Sequence, residues 1–315
     1  MTGDMQFDND VVIVTGAGRG LGREHAIRFA SRGAKVVVND VGVSQTGDHP
    51  DANPADQVVA EIRAAGGKAV ADFNSVATPE GAAAVVKTTL DTFGTITILV
   101  NNAGIISFES LGDLSDEGWR KMLDVTLCGT FYMTRAVWPV FKQNRYGRVI
   151  NTTSNAGFAG QELLSHYGAA KLGVAGLTKC LAREGSAVGV AVNAIAPMAV
   201  TRMNRDFFFG GTEPDPKSWI EDIRCGKVPM GPPSAVSSTV LWLAHRDTAI
   251  SGEIFSTSSG KVARVAFVVG EGYFKPDHTP EDLRDNVSDI RELRSYLDPT
   301  CTGDELASIP PLFAS

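Results

Sequence analysis

The chain has 315 residues, 43% of them hydrophobic, 21% charged and 8% aromatic, with a formal net charge of −7. That usage excludes disorder, collagen-like repeats and coiled coil as the main organisation, and it supports a substantial buried core. The acidic excess sits mostly in residues 263–315, and no basic stripe is present to meet a nucleic-acid backbone or an anionic membrane surface, so neither is expected as a partner.

Met1 to Asp10 is polar and acidic, without the basic stretch and long apolar run of a targeting segment. Short apolar, β-branched runs then recur at Val11–Val14, Val36–Val38, Ile96–Val100, Val149–Ile150, Val190–Ile195 and Glu253–Ser256, with helical stretches between them. This alternation predicts parallel βαβ units, and the continuous apolar strands predict a sheet covered on both faces. The expected fold is therefore α/β, a doubly wound parallel sheet in three α/β/α layers, occupying residues 1–262 as one domain.

The first strand runs through Thr15 into Gly16-Ala17-Gly18-Arg19-Gly20-Leu21-Gly22 and then into a helical segment. Strand, glycine loop and helix in that order suit a dinucleotide pyrophosphate: glycine permits close backbone approach, and the helix N-terminus offers unpaired N–H groups and a positive dipole end. Asp40 ends the second strand about 20 residues beyond the loop, where a carboxylate accepts from the adenosine ribose hydroxyls; this favours NAD, since a 2′-phosphate there would bring like charges together. Arg19 argues in the other direction, and Asp40 as a simple strand-end cap is the plainer alternative. Asp72, after a third short strand, is expected near the adenine amino group. Asn101-Asn102-Ala103-Gly104 ends the Ile98 to Val100 run, where strand C-termini meet ligand; an Asn-rich turn that fixes neighbouring strands is the plainer reading, and the two are compatible.

Tyr167-Gly168-Ala169-Ala170-Lys171 sets a phenol and an ammonium at i and i+4 on one helix face, and Ser154 precedes Tyr167 by 13 positions at the end of the Val149 strand. Taken together, the glycine loop, Asp40, Asn101–Gly104, Ser154, Tyr167, Lys171 and Asn193-Ala194-Ile195-Ala196-Pro197 resemble the short-chain dehydrogenase/reductase family across residues 7–260. The fold that this implies is Rossmann-type. Ala55–Val59, Tyr146-Gly147-Arg148, Ala182–Gly185 and Thr201-Arg202-Met203 look most like the branch of (3R)-hydroxyacyl-CoA and 17β-hydroxysteroid dehydrogenases.

The resemblance implies a hydride transfer between NAD and a secondary alcohol or ketone. Tyr167 would move the proton, Ser154 would orient the reacting oxygen, and Lys171 would bind the nicotinamide ribose. The Lys171 ammonium is also expected to lower the tyrosine pKa from about 10. Gly16, Gly18, Arg19, Gly20, Leu21, Gly22, Asp40, Asp72, Asn102, Ala103, Gly104, Tyr167, Lys171, Pro197, Val200 and Thr201 would hold the cofactor, and a homotetramer is implied. Two positions depart from the family pattern. Thr126 stands where an active-site Asn helps hold a proton-relay water, and Met198 stands where Gly follows Pro.

The segment after Thr201 carries Met203, Phe207, Phe208, Phe209, Trp219 and Met230, which favours a bulky, lipid-like substrate; lid core or subunit contact is the alternative use. Cys128, Cys180, Cys225 and Cys301 form no CxxC pair, so no metal and no disulfide framework is expected. In the acidic extension, residues 263–315, Thr279-Pro280-Glu281-Asp282 predicts a helix start, with Leu283, Val287, Ile290 and Leu293 on one face. Leu312 to Ser315 do not match a peroxisomal tripeptide, and a cytoplasmic location is the default. A non-catalytic NAD-binding sensor or assembly subunit is the competing function.

Overall fold

The computed structural model describes residues 4–43, 46, 54–199, 201, 225, 230–258 and 260–308. Among the described residues seven strands run parallel: β1 (Val11–Thr15), β2 (Lys35–Asn39), β3 (Lys68–Asp72), β4 (Ile98–Asn101), β5 (Gly147–Thr152), β6 (Val190–Met198) and β7 (Ile254–Ser258). With β8 (Lys261–Val265) at the edge, their order is β3-β2-β1-β4-β5-β6-β7-β8. The helices between them are α1 (Gly20–Ser31), α2 (Pro54–Ala64), α3 (Pro79–Phe93), α4 (Asp116–Leu123), α5 (Gly129–Asn144), α6 (Asn155–Ala159), α7 (Ser165–Ser186) and α8 (Pro233–Ala244). A π-helical turn, Asp124–Cys128, joins α4 to α5.

Strand alternation explains why these runs are apolar without a break. Val12, Val14, Val36, Val38, Ile98 and Val100 enter one core with Phe29 of α1 and Val240 of α8, whereas Ile13, Val37, Leu99 and Val149 enter a second with Val85 of α3 and Val137 of α5. Successive side chains of a strand point to opposite faces, so both faces must be covered. Each buried Val, Ile or Leu contributes about 1.5–3 kcal/mol. The chain builds β1, β2 and β3 outward on one side and returns to place β4 on the other side of β1. That reversal opens a crevice at the carboxyl ends of β1 and β4.

The chain divides into two compact units, Met1–Arg264 and Val265–Ser315. In the second, β9 (Val269–Gly270) pairs antiparallel with β10 (Tyr296–Leu297), beside the short helices α9 (Pro280–Asp285), α10 (Val287–Arg291) and α11 (Thr302–Ser308). Thr279 starts α9 with a capping box, its hydroxyl accepting from the Asp282 N–H at 3.2 Å. The single helix expected through Leu293 is instead two turns. Asn286 leaves helical geometry (φ −112, ψ 23), and its side-chain amide donates to the Asp282 carbonyl at 2.7 Å, closing α9 before Val287. Leu283, Val287, Ile290 and Leu293 are exposed. Among the described residues no helix is long and apolar enough to cross a membrane, and no three His, Cys, Asp or Glu side chains group as metal ligands.

Candidate active site

A cavity of about 690 Å³ lies at the carboxyl ends of β1, β4, β5 and β6, between the glycine loop and the start of α7. Its floor is set by glycine. Gly16 and Gly20 adopt left-handed φ of 60° and 54°, which costs L side chains about 1–2 kcal/mol. A Cβ on Gly16 would lie 2.8 Å from the Ala103 Cα, and one on Gly22 would lie 2.2 Å from the Gly16 carbonyl oxygen. The loop is clipped to the end of β4. The Asn102 side-chain amide donates to the Thr15 and Gly16 carbonyls at 2.9 and 3.0 Å, and the Thr15 hydroxyl accepts from the Asn102 and Ala103 N–H groups at 3.1 Å each. Asn102 thus serves as the strand-fixing residue that the plainer reading anticipated, while also lining the cavity.

Asp40 stands at the edge of the same cavity. Its Oδ2 accepts from the Gly18 N–H at 2.9 Å and its Oδ1 from the Gly42 N–H at 2.8 Å. A Cβ on Gly18 would come within 2.9 Å of that Oδ2 and 2.7 Å of Pro54, so glycine is what allows the carboxylate to stand there. The N-cap of α1, Arg19, makes no side-chain capping bond, and Arg19, Gly20 and Leu21 at this helix start line the cavity. Floor, carboxylate and helix end together fit a dinucleotide.

Three side chains meet at the other end. Ser154 N-caps α6, its hydroxyl accepting from the Ala156 N–H at 3.2 Å and donating to the Asn155 Oδ1 at 3.3 Å, and it lies close enough to Tyr167 to lower the phenol pKa. Tyr167 and Lys171 follow one turn apart on α7, with the Lys171 Nζ 5.7 Å from the Tyr167 ring centroid. Lys171 is almost wholly buried and donates to the Thr152 carbonyl at 2.7 Å. The Thr153 hydroxyl donates to the Lys171 carbonyl at 2.6 Å, tying α7 to the end of β5. Burial lowers the Lys171 pKa to about 8. Burial also raises that of Tyr167, against the lowering effect of Ser154. This reverses the expected direction for the phenol: within the protein alone, loss of solvent outweighs a lysine whose ammonium is turned to a backbone carbonyl.

Gly16, Arg19, Gly20, Leu21, Asp40, Asn102, Ala103, Gly104, Ser154, Tyr167, Lys171, Pro197 and Thr201 all line this one cavity. Gly18 and Gly22 act behind it, as close-approach positions. Asp72 stands apart from the residues of the wall. It is 3% exposed and absent from the wall, and its carboxylate accepts from the Asn39 amide, the Asn74 N–H and the Asn74 amide at 2.8, 3.0 and 2.9 Å. Ser75 and Val76 face the cavity in its place. Thr126 is buried in the π-helical turn, its hydroxyl 3.6 Å from the Met122 sulfur. It does not line the cavity, but the position of a Gly104 Cβ lies 3.6 Å from the Lys171 Nζ and 3.8 Å from the Thr126 Oγ1. Val200, Met203, Phe207, Phe208, Phe209 and Trp219 lie outside the described residues, whereas Met198 and Met230 join the wall.

The family profile described as short chain dehydrogenase matches residues 10–208. The peroxisomal multifunctional enzyme A of Dictyostelium discoideum is 37% identical over 305 residues, covering 97% of this chain but only 65% of that protein. The crystal structure of a short chain dehydrogenase from Mycobacterium avium superimposes with a TM-score of 0.77 at 36% identity, covering 91% of this chain and 97% of the other. A 7α-hydroxysteroid dehydrogenase complexed with NADH and 7-oxo glycochenodeoxycholic acid gives a TM-score of 0.70 at 27% identity, covering 84% of this chain and 99% of the other. The chain belongs to the short-chain dehydrogenase family of nicotinamide-dependent oxidoreductases, in the branch that includes the peroxisomal multifunctional enzymes.

Proposed function

We propose that the chain is an NAD-dependent oxidoreductase that moves a hydride between nicotinamide and the secondary alcohol or ketone carbon of a bulky apolar substrate, a 3-hydroxyacyl-CoA or a hydroxysteroid. The observation that carries this reading is the convergence of Ser154, Tyr167 and Lys171 on the cavity floored by Gly16–Gly20 and edged by Asp40. The Asp40 carboxylate, held by two backbone N–H groups, keeps acceptor capacity for ribose hydroxyls, and its charge disfavours a 2′-phosphate. The glycine loop and the α1 N-terminus would take the pyrophosphate, and Pro197, Val200 and Thr201 the nicotinamide carboxamide.

When bound, the nicotinamide supplies the carbon that takes or returns the hydride. Ser154 holds the substrate oxygen, and Tyr167 moves the proton at that oxygen. Burial keeps Tyr167 protonated, the form that donates to a ketone; abstraction from an alcohol relies on the Lys171 ammonium one turn away and on the positive charge of an oxidised cofactor. The apolar wall of Ile105, Ile106, Phe108, Leu164 and Met230 supports a bulky apolar substrate. So does the steroid ligand of the 7α-hydroxysteroid dehydrogenase. The four widely spaced cysteines, with no CxxC pair among them, support a reducing compartment, which we take to be the cytoplasm, and the family resemblance supports a homotetramer.

NADH formation across panels of 3-hydroxyacyl-CoA thioesters and hydroxysteroids tests the reading. Tyr167→Phe is expected to lose about 10²–10⁴-fold in kcat while still binding NAD through the glycine loop and Asp40. NAD binding without NADH from either panel, and an unchanged Tyr167→Phe variant, would instead establish a sensor.

A further inference from the structure

His166 immediately precedes Tyr167 in α7, and the chemistry proposed above makes no use of it. Its side chain is fully buried, its Nε2 lies 2.8 Å from the Ser107 hydroxyl, and its Nδ1 is buried without a hydrogen-bond partner. A buried polar atom left unsatisfied costs about 1–3 kcal/mol. An apolar side chain would fill the space at lower cost, so the bond that is made calls for an explanation. Burial lowers the imidazole pKa against the opposing effect of Glu109, and the ring is neutral at physiological pH.

Ser107 lies in the segment after β4 whose Ile105, Ile106 and Phe108 form one wall of the cavity. Ile105 packs with Met122 of α4 and Ala170 of α7 in a small apolar cluster that touches Tyr167. Apolar contact is non-directional and leaves the segment free to slide along α7. Two directional bonds prevent that. The Glu109 N–H donates to the Leu163 carbonyl at 2.9 Å, and Ser107 bonds His166. Leu163 is held at φ 64°, a left-handed geometry that a leucine adopts only when its surroundings impose it, so the backbone is strained where the wall is fastened.

We propose that His166 is a positioning residue that sets substrate specificity: through Ser107 it fixes the Ile105–Phe108 wall against the helix carrying Tyr167, and so tunes the fit of the substrate's apolar body independently of the cofactor. The inference rests on the oxidoreductase reading above. It is tested with His166→Leu, Ser107→Ala and His166→Gln, whose amide nitrogen reaches the place of Nε2 and can bond Ser107 again. With a long-chain 3-hydroxyacyl-CoA, the first two variants are expected to raise KM about tenfold while kcat and the KM for NAD stay within about twofold, and the Gln variant to recover most of the loss.

Ser107→Ala keeps the test open should His166→Leu fail to fold. A KM for NAD that moves in step with the substrate KM, an unchanged substrate KM, or a folded Gln variant that recovers nothing would each overturn the proposal. If the wild-type protein oxidises no member of either panel, the oxidoreductase reading fails separately. Amide hydrogen exchange over residues 105–109 then still decides the fastening: acceleration in Ser107→Ala supports it and unchanged exchange overturns it.

Discussion

Lys171→Met separates what the site does from what it costs. Burial brings the Lys171 pKa from 10.5 to about 8, and that difference corresponds to about 3 kcal/mol of disfavoured charge in the native state at neutral pH. Methionine fills a similar volume without a charge, but it strands the Thr152 carbonyl, which accepts from Nζ at 2.7 Å, at a cost of about 1–3 kcal/mol. The variant is therefore expected to be as stable as the wild type at pH 7, or up to about 2 kcal/mol more so, while losing about 10²–10⁴-fold in activity. The pH dependence is sharper. The native lysine releases its proton before the unfolded one, so between about pH 8 and 10.5 the unfolded chain binds more protons and wild-type stability rises with pH. The methionine variant lacks that rise, and its stability relative to wild type falls by about 2 kcal/mol from pH 7 to 9.5. Urea unfolding followed by tryptophan fluorescence at both pH values measures it. Parallel pH dependences for the two proteins would refute the assignment of a buried, desolvated ammonium.

Two further outcomes are expected. Asp40→Ala removes the charge that meets a 2′-phosphate, so the ratio of kcat/KM for NAD over NADP should fall by about 10²-fold or more; an unchanged ratio, or a wild type that already prefers NADP, would count against Asp40 as the selector. Thr126→Ala takes away the hydroxyl that shares the space beside Gly104 with the Lys171 Nζ, and is expected to lower kcat about tenfold and displace the pH–rate profile, with Thr126→Asn restoring both. If neither variant moves the profile, Thr126 has no part in a proton relay.

Features written over a few adjacent residues were legible in the sequence. A strand, a glycine loop and a helix start announce the phosphate end of the cavity without any knowledge of neighbours, and the Tyr167–Lys171 spacing places two side chains on one helix face. Legibility ended where a partner lies far along the chain. Asp72 reads as a carboxylate offered to the adenine amino group, and nothing beside it announces that Asn39, 33 positions earlier, donates to one of its oxygens. Nothing local to Lys171 announces that its ammonium turns to a carbonyl of β5, and nothing local to His166 announces Ser107, 59 positions away. In the tail, the apolar spacing from Leu283 to Leu293 predicts one helix, but one asparagine amide bonded four residues back outweighs that periodicity and leaves two short helices that end before Leu293.

The clip between Asn102 and the first glycine turn has a bearing on how such a protein can be re-engineered. Because Thr15, Gly16, Asn102 and Ala103 exchange four hydrogen bonds, the nucleotide half and the substrate half do not behave as interchangeable cassettes. This glycine loop, moved into a chain with another side chain in the place of Asn102, would leave two carbonyls stranded at the bottom of the cleft, and the defect would surface as altered substrate handling. Transplants intended to change cofactor choice should carry both segments together.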